Sequence, residues 1–198
     1  GKLQPFLPQQ YAEMPDYSPY NSAFLQSVLG ENRLVFIKTK SENKRNVNLE
    51  EAKMTSWLIK NIREMWGDKF SRKTLGVITP YRAQIAEIKS QLPETWRDDV
   101  TVDTVERYQG SQRDIIIISM AVNHVQQLEL LHVLSEDGTT DKKLNVALTR
   151  AKQHLILIGC EHILRESPIY APLLDFYGKN GKIISDTTAI FQEEILVV

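Results

Sequence analysis

Two short stretches hold the residue types that could do chemistry. The first is Val102–Asp114, VDTVERYQGSQRD, which runs straight into the isoleucines Ile115–Ile118. It gathers hydroxyl, amide and charged side chains around Gly110, and a glycine lets backbone approach a ligand because no Cβ intervenes. The second is Leu144–Lys152, LNVALTRAK, where Leu144, Ala147, Leu148 and Ala151 repeat at helical spacing beside Thr149, Arg150 and Lys152. On a helix turning ~100° per residue, Asn145, Thr149 and Lys152 share one polar flank, and Arg150 points roughly 140° away. Arg150 offers a planar, permanently charged fork that matches phosphate. A polar turn, a buried strand and a basic helix in this order point to phosphate or nucleic-acid chemistry at one end of an α/β sheet.

The intervening elements must position these residues. A run of isoleucines is poor helix surface but suits a central strand buried on both faces. Further strands are expected at Leu34–Lys38, Leu75–Thr79 (LGVIT), Val100–Asp103, His154–Gly159 and Lys182–Ser185. Asn48 followed by Glu51 resembles a capping box opening a helix over Asn48–Trp66. Pro80 is expected in the first turn of a second helix, where Tyr81, Ile85, Ile88 and Leu92 share a face before Pro93 ends it. A short helix around Leu128–Leu134 and another over Ile169–Tyr177 complete the pattern. Strands alternating with helices predict an α/β fold with a doubly wound, mostly parallel sheet. Pro5, Pro8, Pro15 and Pro19 predict an extended segment over residues 1–32. The folded body then spans 33–185, and 186–198 is a tail.

Composition narrows the classes. Of 198 residues, 42% are hydrophobic and 25% charged, as in a water-soluble domain. The net charge of −1 means that any basic surface is local. Cys160 is the single cysteine, so no disulfide forms within the chain and a reducing, intracellular setting is expected. It reads as a small core residue. His124, His132, His154 and His162 do not fall at metal-ligand spacing, so no metal site is expected. No apolar run is long enough to cross a membrane. The start, GKLQPFLPQQ, lacks an initiator Met and reads as a cut through a larger protein.

VDTVERYQGSQRDIIIIS and LNVALTRAK resemble the fifth and sixth motifs of superfamily 1 helicases. The similarity is to the 1B subgroup that contains senataxin, the nonsense-mediated-decay helicase and the Okazaki-processing nuclease-helicases. GVITPYRAQ (Gly76–Gln84) resembles the TPY segment of that group, and GKLQP resembles the segment just after its QYRM motif. The likeness runs from residue 1 to about Lys182. It implies the second, C-terminal RecA-like domain: a three-layer fold of P-loop NTPase type without its own phosphate loop. ATP then lies between two RecA-like domains, and the missing N-terminal one supplies the phosphate loop and the Mg²⁺ ligands. No G-x-x-x-x-G-K-[ST] occurs in this chain.

Carried over residue by residue, the resemblance makes Arg150 the catalytic arginine finger. Gln109, Gly110 and Gln112 face ATP, and Gln112 stands where the family commonly has a ribose-contacting Glu. Thr79, Pro80, Tyr81, Arg82, Thr104 and Asn145 face single-stranded DNA or RNA. Tyr81 also fits a core role beside Ile85 and Ile88, and Arg107 either reaches nucleic acid or is solvated. The chain alone is expected to be inactive, working only with its N-terminal partner domain. Two other readings stay open: a non-catalytic scaffold or binding module derived from a helicase, and an unrelated α/β enzyme with its own nucleotide site.

Overall fold

The isoleucine run forms the strand at the centre of the sheet. In the computed structural model, which describes residues 25–30, 32–108, 111–131, 133–136 and 141–187, six strands pair into one sheet. They are β1 (Leu34–Lys38), β2 (Leu75–Ile78), β3 (Thr101–Asp103), β4 (Arg113–Ser119), β5 (Ala151–Gly159) and β6 (Lys182–Ile184). Their order is β3-β2-β4-β5-β1-β6 and every pairing is parallel. The sheet is thus wholly parallel among the described residues, beyond the mostly parallel sheet expected. Ile116 of β4 sits opposite Gly76 of β2 and Leu155 of β5.

Alternation along the strands sorts the core into two layers. Val35, Ile37, Ile115, Ile117, Ile156 and Ile158 face one layer, where they meet α1 (Leu49–Trp66) and Ile88 of α2 (Arg82–Ser90). Their strand neighbours Phe36, Ile116, Ile118, Leu155 and Leu157 face the other. That side is covered by α3 (Gln126–Leu131), α4 (Lys142–Leu148), α5 (Glu161–Leu164) and α6 (Tyr170–Asn180). Helix, sheet and helix make the three layers.

Several local expectations change. Gln26–Gly30, expected to be extended, forms a helical turn, and Leu25, Val28 and Leu29 are buried against α1's side of the sheet. Pro19 is the last proline of that segment, so nothing prevents coiling after it. Pro80 lies two residues before α2, because Tyr81 is the cap, with extended backbone at φ −117° and ψ 130°. The short helix expected to reach Leu134 stops at Leu131, and Leu134 instead bridges Asp141. The basic helix ends at Leu148: Thr149 caps it, and Ala151 already begins β5. Thr149 and Lys152 therefore do not share a helical flank with Asn145. Ala151, which fits the helical repeat, is instead the first buried residue of the strand.

A buried polar network holds the carboxyl edge of β4. Asn48 accepts from the Glu51 N–H at 2.9 Å, but the Glu51 side chain does not return to the cap. It accepts instead from the Ser119 hydroxyl and the Ala121 N–H, both at 2.8 Å. Ala121 adopts φ +49° there. Gln84 Oε1 takes the Asn48 N–H that a capping box would assign to Glu51, and Gln84 Nε2 donates to Ser119. Asn123 ties in the loop after β1, donating to the carbonyls of Lys44 and Val47.

Burial raises the Glu51 carboxyl to about 8, with Glu50 and Glu42 adding repulsion. An unfolded glutamate ionises near 4.5, whereas the folded one keeps its proton until about pH 8. Stability therefore falls as pH rises through that window, because the unfolded state releases the proton first. Thermal unfolding followed from about pH 5.5 to about 8.5 is expected to show this decline, and Glu51→Gln to flatten it.

Tyr108 is a second internal tie. It is fully buried at the end of a short 3-10 turn, Val105–Tyr108. Its hydroxyl accepts from the Val77 N–H at 3.0 Å and donates to the Thr101 carbonyl, bridging β2 and β3. Gly76 makes room: a Cβ there would stand 2.6 Å from the phenol oxygen. Tyr108→Phe leaves the Val77 N–H unpaired and is expected to cost about 1–3 kcal/mol. Urea unfolding measures this, and an unchanged midpoint would show that the phenol holds nothing.

Candidate functional site

The predicted functional residues separate onto opposite edges of the sheet. Gln112 and Arg150 sit at the amino ends of β4 and β5, where the Arg113 N–H donates to the Arg150 carbonyl at 3.0 Å. This bond fixes the two polar turns side by side. Gln112 is exposed and Arg150 half-buried. The Arg150 guanidinium folds back on its own turn, with Nε donating to the Val146 carbonyl at 3.1 Å and one terminal nitrogen 3.5 Å from Thr149 Oγ1. Both are contacts to neutral acceptors, which an anion would displace. Gln109 and Gly110 lie outside the described residues.

Arg113 adds a charge at this edge that the sequence did not single out. Its guanidinium lies 5.5 Å from the centre of the Tyr108 ring, and Nη1 donates to the Gln112 carbonyl. Lys152, 3.8 Å from Asp114, is the next cation along. The signal was present in SQRD, but a charge just before a buried strand reads equally as a solvated strand end.

Thr79, Pro80, Tyr81, Arg82 and Thr104 come together at the other edge, beyond the carboxyl ends of β2 and β3. The Thr79 N–H donates to the Asp103 carbonyl at 3.1 Å, and the Thr104 N–H to the Asp103 carboxylate at 2.8 Å. Thr79 is fully buried, while Pro80 and Arg82 are exposed. Tyr81 does not join Ile85 and Ile88. Being the residue before the helix, it turns its half-buried ring to the opposite layer, against the cluster that contains Ile118 and Met120. Burial pushes its phenol up from the ordinary value. Asn145 is exposed on α4 and does not join the residues around Tyr81.

A cavity opens between these elements. Ile78, Thr79, Tyr81, Ile118, Asp141 and Lys143 are among the residues that line it. Its place follows from the topology. After β2 the chain crosses to α2 on one face and on to β3; after β4 it crosses to α3 and α4 on the other face and on to β5. Neighbouring strands whose connections leave in opposite directions open a crevice at their carboxyl ends, where α/β sheets bind ligands. Lys143 also reaches Glu106 at 2.7 Å, linking α4 to the turn after Thr104. That lysine holds the Glu106 carboxyl down to about 2.

Asp141, Lys143 and Glu106 were not anticipated. Asp141 had a readable signal, a capping-type residue three positions before the first buried leucine of the periodic run. His132 lies outside the described residues. Burial holds the His154 imidazole down to about 4, beside the Asn32 carbonyl. His162 Nδ1 lies 3.0 Å from the sulfur of Cys160, which is buried as expected. No group of three or more His, Cys, Asp or Glu side chains suited to a metal ion occurs among the described residues. None of their helices is long and apolar enough to cross a membrane.

Comparison with known proteins identifies the family. The family model described as an AAA domain matches residues 16–162. RNA helicase Mov10l1 of Mus musculus is 36% identical over 111 residues, 56% of this chain and 9% of that protein. The DNA replication ATP-dependent helicase/nuclease JHS1 of Arabidopsis thaliana is 30% identical over 173 residues, 85% of this chain and 12% of its own length. The probable helicase senataxin of Mus musculus is 29% identical over 159 residues, 79% of this chain and 6% of its own length. The chain thus spans only a small part of the relatives that it matches. With a wholly parallel, three-layer sheet and these matches together, the chain belongs to the AAA domain family, as a C-terminal RecA-like domain of the superfamily 1 helicases of the senataxin group.

Proposed function

We propose that this chain is the C-terminal motor domain of an ATP-dependent, superfamily 1B helicase that acts inside the cell on single-stranded DNA or RNA. The observation that carries the reading is the division of its polar residues between two edges of one sheet. Gln112 and Arg150 occupy the amino edge, and Thr79, Pro80, Tyr81, Arg82 and Thr104 the carboxyl edge. A motor needs both, because a change at a nucleotide must alter the grip on a strand.

In this mechanism the amino edge closes on ATP held by an N-terminal RecA-like domain, which also supplies the Mg²⁺ ligands. Arg150 leaves its Val146 carbonyl and stabilises the charge on the γ-phosphate as the bond breaks. Gln109, Gly110 and Gln112 line the nucleotide. At the carboxyl edge, Arg82 and the N–H groups at the start of α2 meet the strand's phosphates, with Thr104 beside them and Asn145 further along α4. The strands β4 and β5, of seven and nine residues and so roughly 23 and 30 Å long at ~3.3 Å per residue, connect the two events.

Four expectations test the reading. The chain by itself should hydrolyse no ATP, as it has no phosphate loop. Joined to its N-terminal RecA-like domain, it should hydrolyse ATP faster when single-stranded nucleic acid is added. Arg150→Ala should then lower kcat on the order of 10³-fold with little change in strand affinity. Turnover that ignores both the strand and Arg150 would place the site elsewhere. At the other edge, Arg82→Ala should weaken binding equally for all sequences and lower the salt slope of the affinity by about 0.7, the loss of one phosphate contact. Fluorescence anisotropy over a salt series measures that slope.

A further inference from the structure

The loop between β1 and α1 carries Lys40, Lys44 and Arg45, all exposed. None of the three forms an ion pair among the described residues. A charged surface loop is ordinarily solvated and mobile. This one is tied down. Asn123, beyond the carboxyl end of β4, accepts from the Glu42 N–H at 3.0 Å and donates to the Lys44 and Val47 carbonyls at 2.8 and 2.7 Å. Asn46, at φ +64°, accepts from Gln127 Nε2 at 3.2 Å. Because β5 lies between β1 and β4 in the sheet, these bonds draw the loop back along the carboxyl edge toward β2. Arg45 thereby comes within electrostatic reach of Tyr81: burial raises that phenol, and the Arg45 charge acts in the opposite direction.

The loop's acidic neighbours in sequence are engaged with backbone instead of these cations. Glu42 Oε1 accepts from the Leu49 and Glu50 N–H groups at 2.9 and 3.0 Å, and Glu50 Oε2 from the Lys40 N–H at 2.7 Å. Both carboxylates sit against the amino end of α1, whose dipole favours them there. What faces water is a short run of cations on a fixed backbone, next to the Tyr81–Arg82 turn. Such a patch is the electrostatic footprint of a polyanion.

Resting on the helicase function proposed above, we infer that this loop is a second phosphate-binding segment, in which Lys40, Lys44 and Arg45 contact the backbone of the same single strand that meets Arg82. The occupant is a strand rather than an acidic protein, because the loop borders the strand contacts at the same edge. It also offers charge and amide groups without the apolar anchor on which protein interfaces depend. Contacts of this kind read phosphate and not base, so they add affinity without sequence preference.

The test titrates the chain, joined to its N-terminal RecA-like domain, with fluorescent cytosine, thymine and abasic single strands over a salt series. Lys40→Gln, Lys44→Gln and Arg45→Gln combined should lower the salt slope of the affinity by about 2, or ~0.7 for each phosphate contact. All three strands should weaken alike, on the order of tenfold or more at low salt. Lys40→Arg with Lys44→Arg keeps the charge and should keep the slope. The side chains are exposed, so an unchanged melting temperature separates lost contacts from misfolding. An unchanged slope in the Gln variant, beside an Arg82→Ala control that loses its ~0.7, would overturn the loop contact, point to an acidic partner and leave the helicase reading standing. Unequal losses among the three strands would overturn a contact to phosphate. Failure of the parent to bind any strand would overturn both readings.

Discussion

The burial of Ile115–Ile118 on both faces of β4 is the constraint on which everything else rests. Each of these side chains is almost wholly removed from water, worth roughly 1.5–3 kcal/mol apiece. Such a strand needs a neighbour on each side and a layer on each face, and the chain supplies β2, β5 and the two helical layers. Because the neighbours are parallel, all amino ends fall on one edge and all carboxyl ends on the other. Two separate polar surfaces then arise from a single packing requirement. The polar residues on either side of the isoleucines are assigned to their edges by chain direction alone.

Much of this was legible in the sequence, for reasons particular residues make clear. The strands announced themselves through continuous apolar runs, and α1 through an Asn48 cap and a stop at Gly67. What failed were junctions where two periodicities share a residue. Ala151 satisfies the helical repeat of Leu144 and Ala147, yet equally opens the strand, and tertiary pairing with Arg113 decides for the strand. Tyr81 fits the helical face of Ile85, but backbone geometry at a cap turns it to the other layer. The partners of Glu51 were invisible because they lie across the chain: nothing local in LEEAK names Ser119 or Ala121.

The candidate sites divided along the same line. Residues grouped in one turn, such as Thr79–Arg82, stay together in space. The cavity beside them draws on residues from β2, β4, α4 and α6, and only the topology of crossing connections brings those together. Asp141 could be read as a helix cap, but its place on the cavity lining could not.

The insertion of Tyr108 between β2 and β3 has a consequence for how such sequences can vary. The phenol occupies the volume that any side chain at position 76 would need, so the two positions behave as one lock with a fixed total size. A chain that enlarges residue 76 must shorten residue 108, and in doing so frees the turn between Thr104 and Gln112. Drift at an interior glycine thereby reaches both polar edges of the sheet at once.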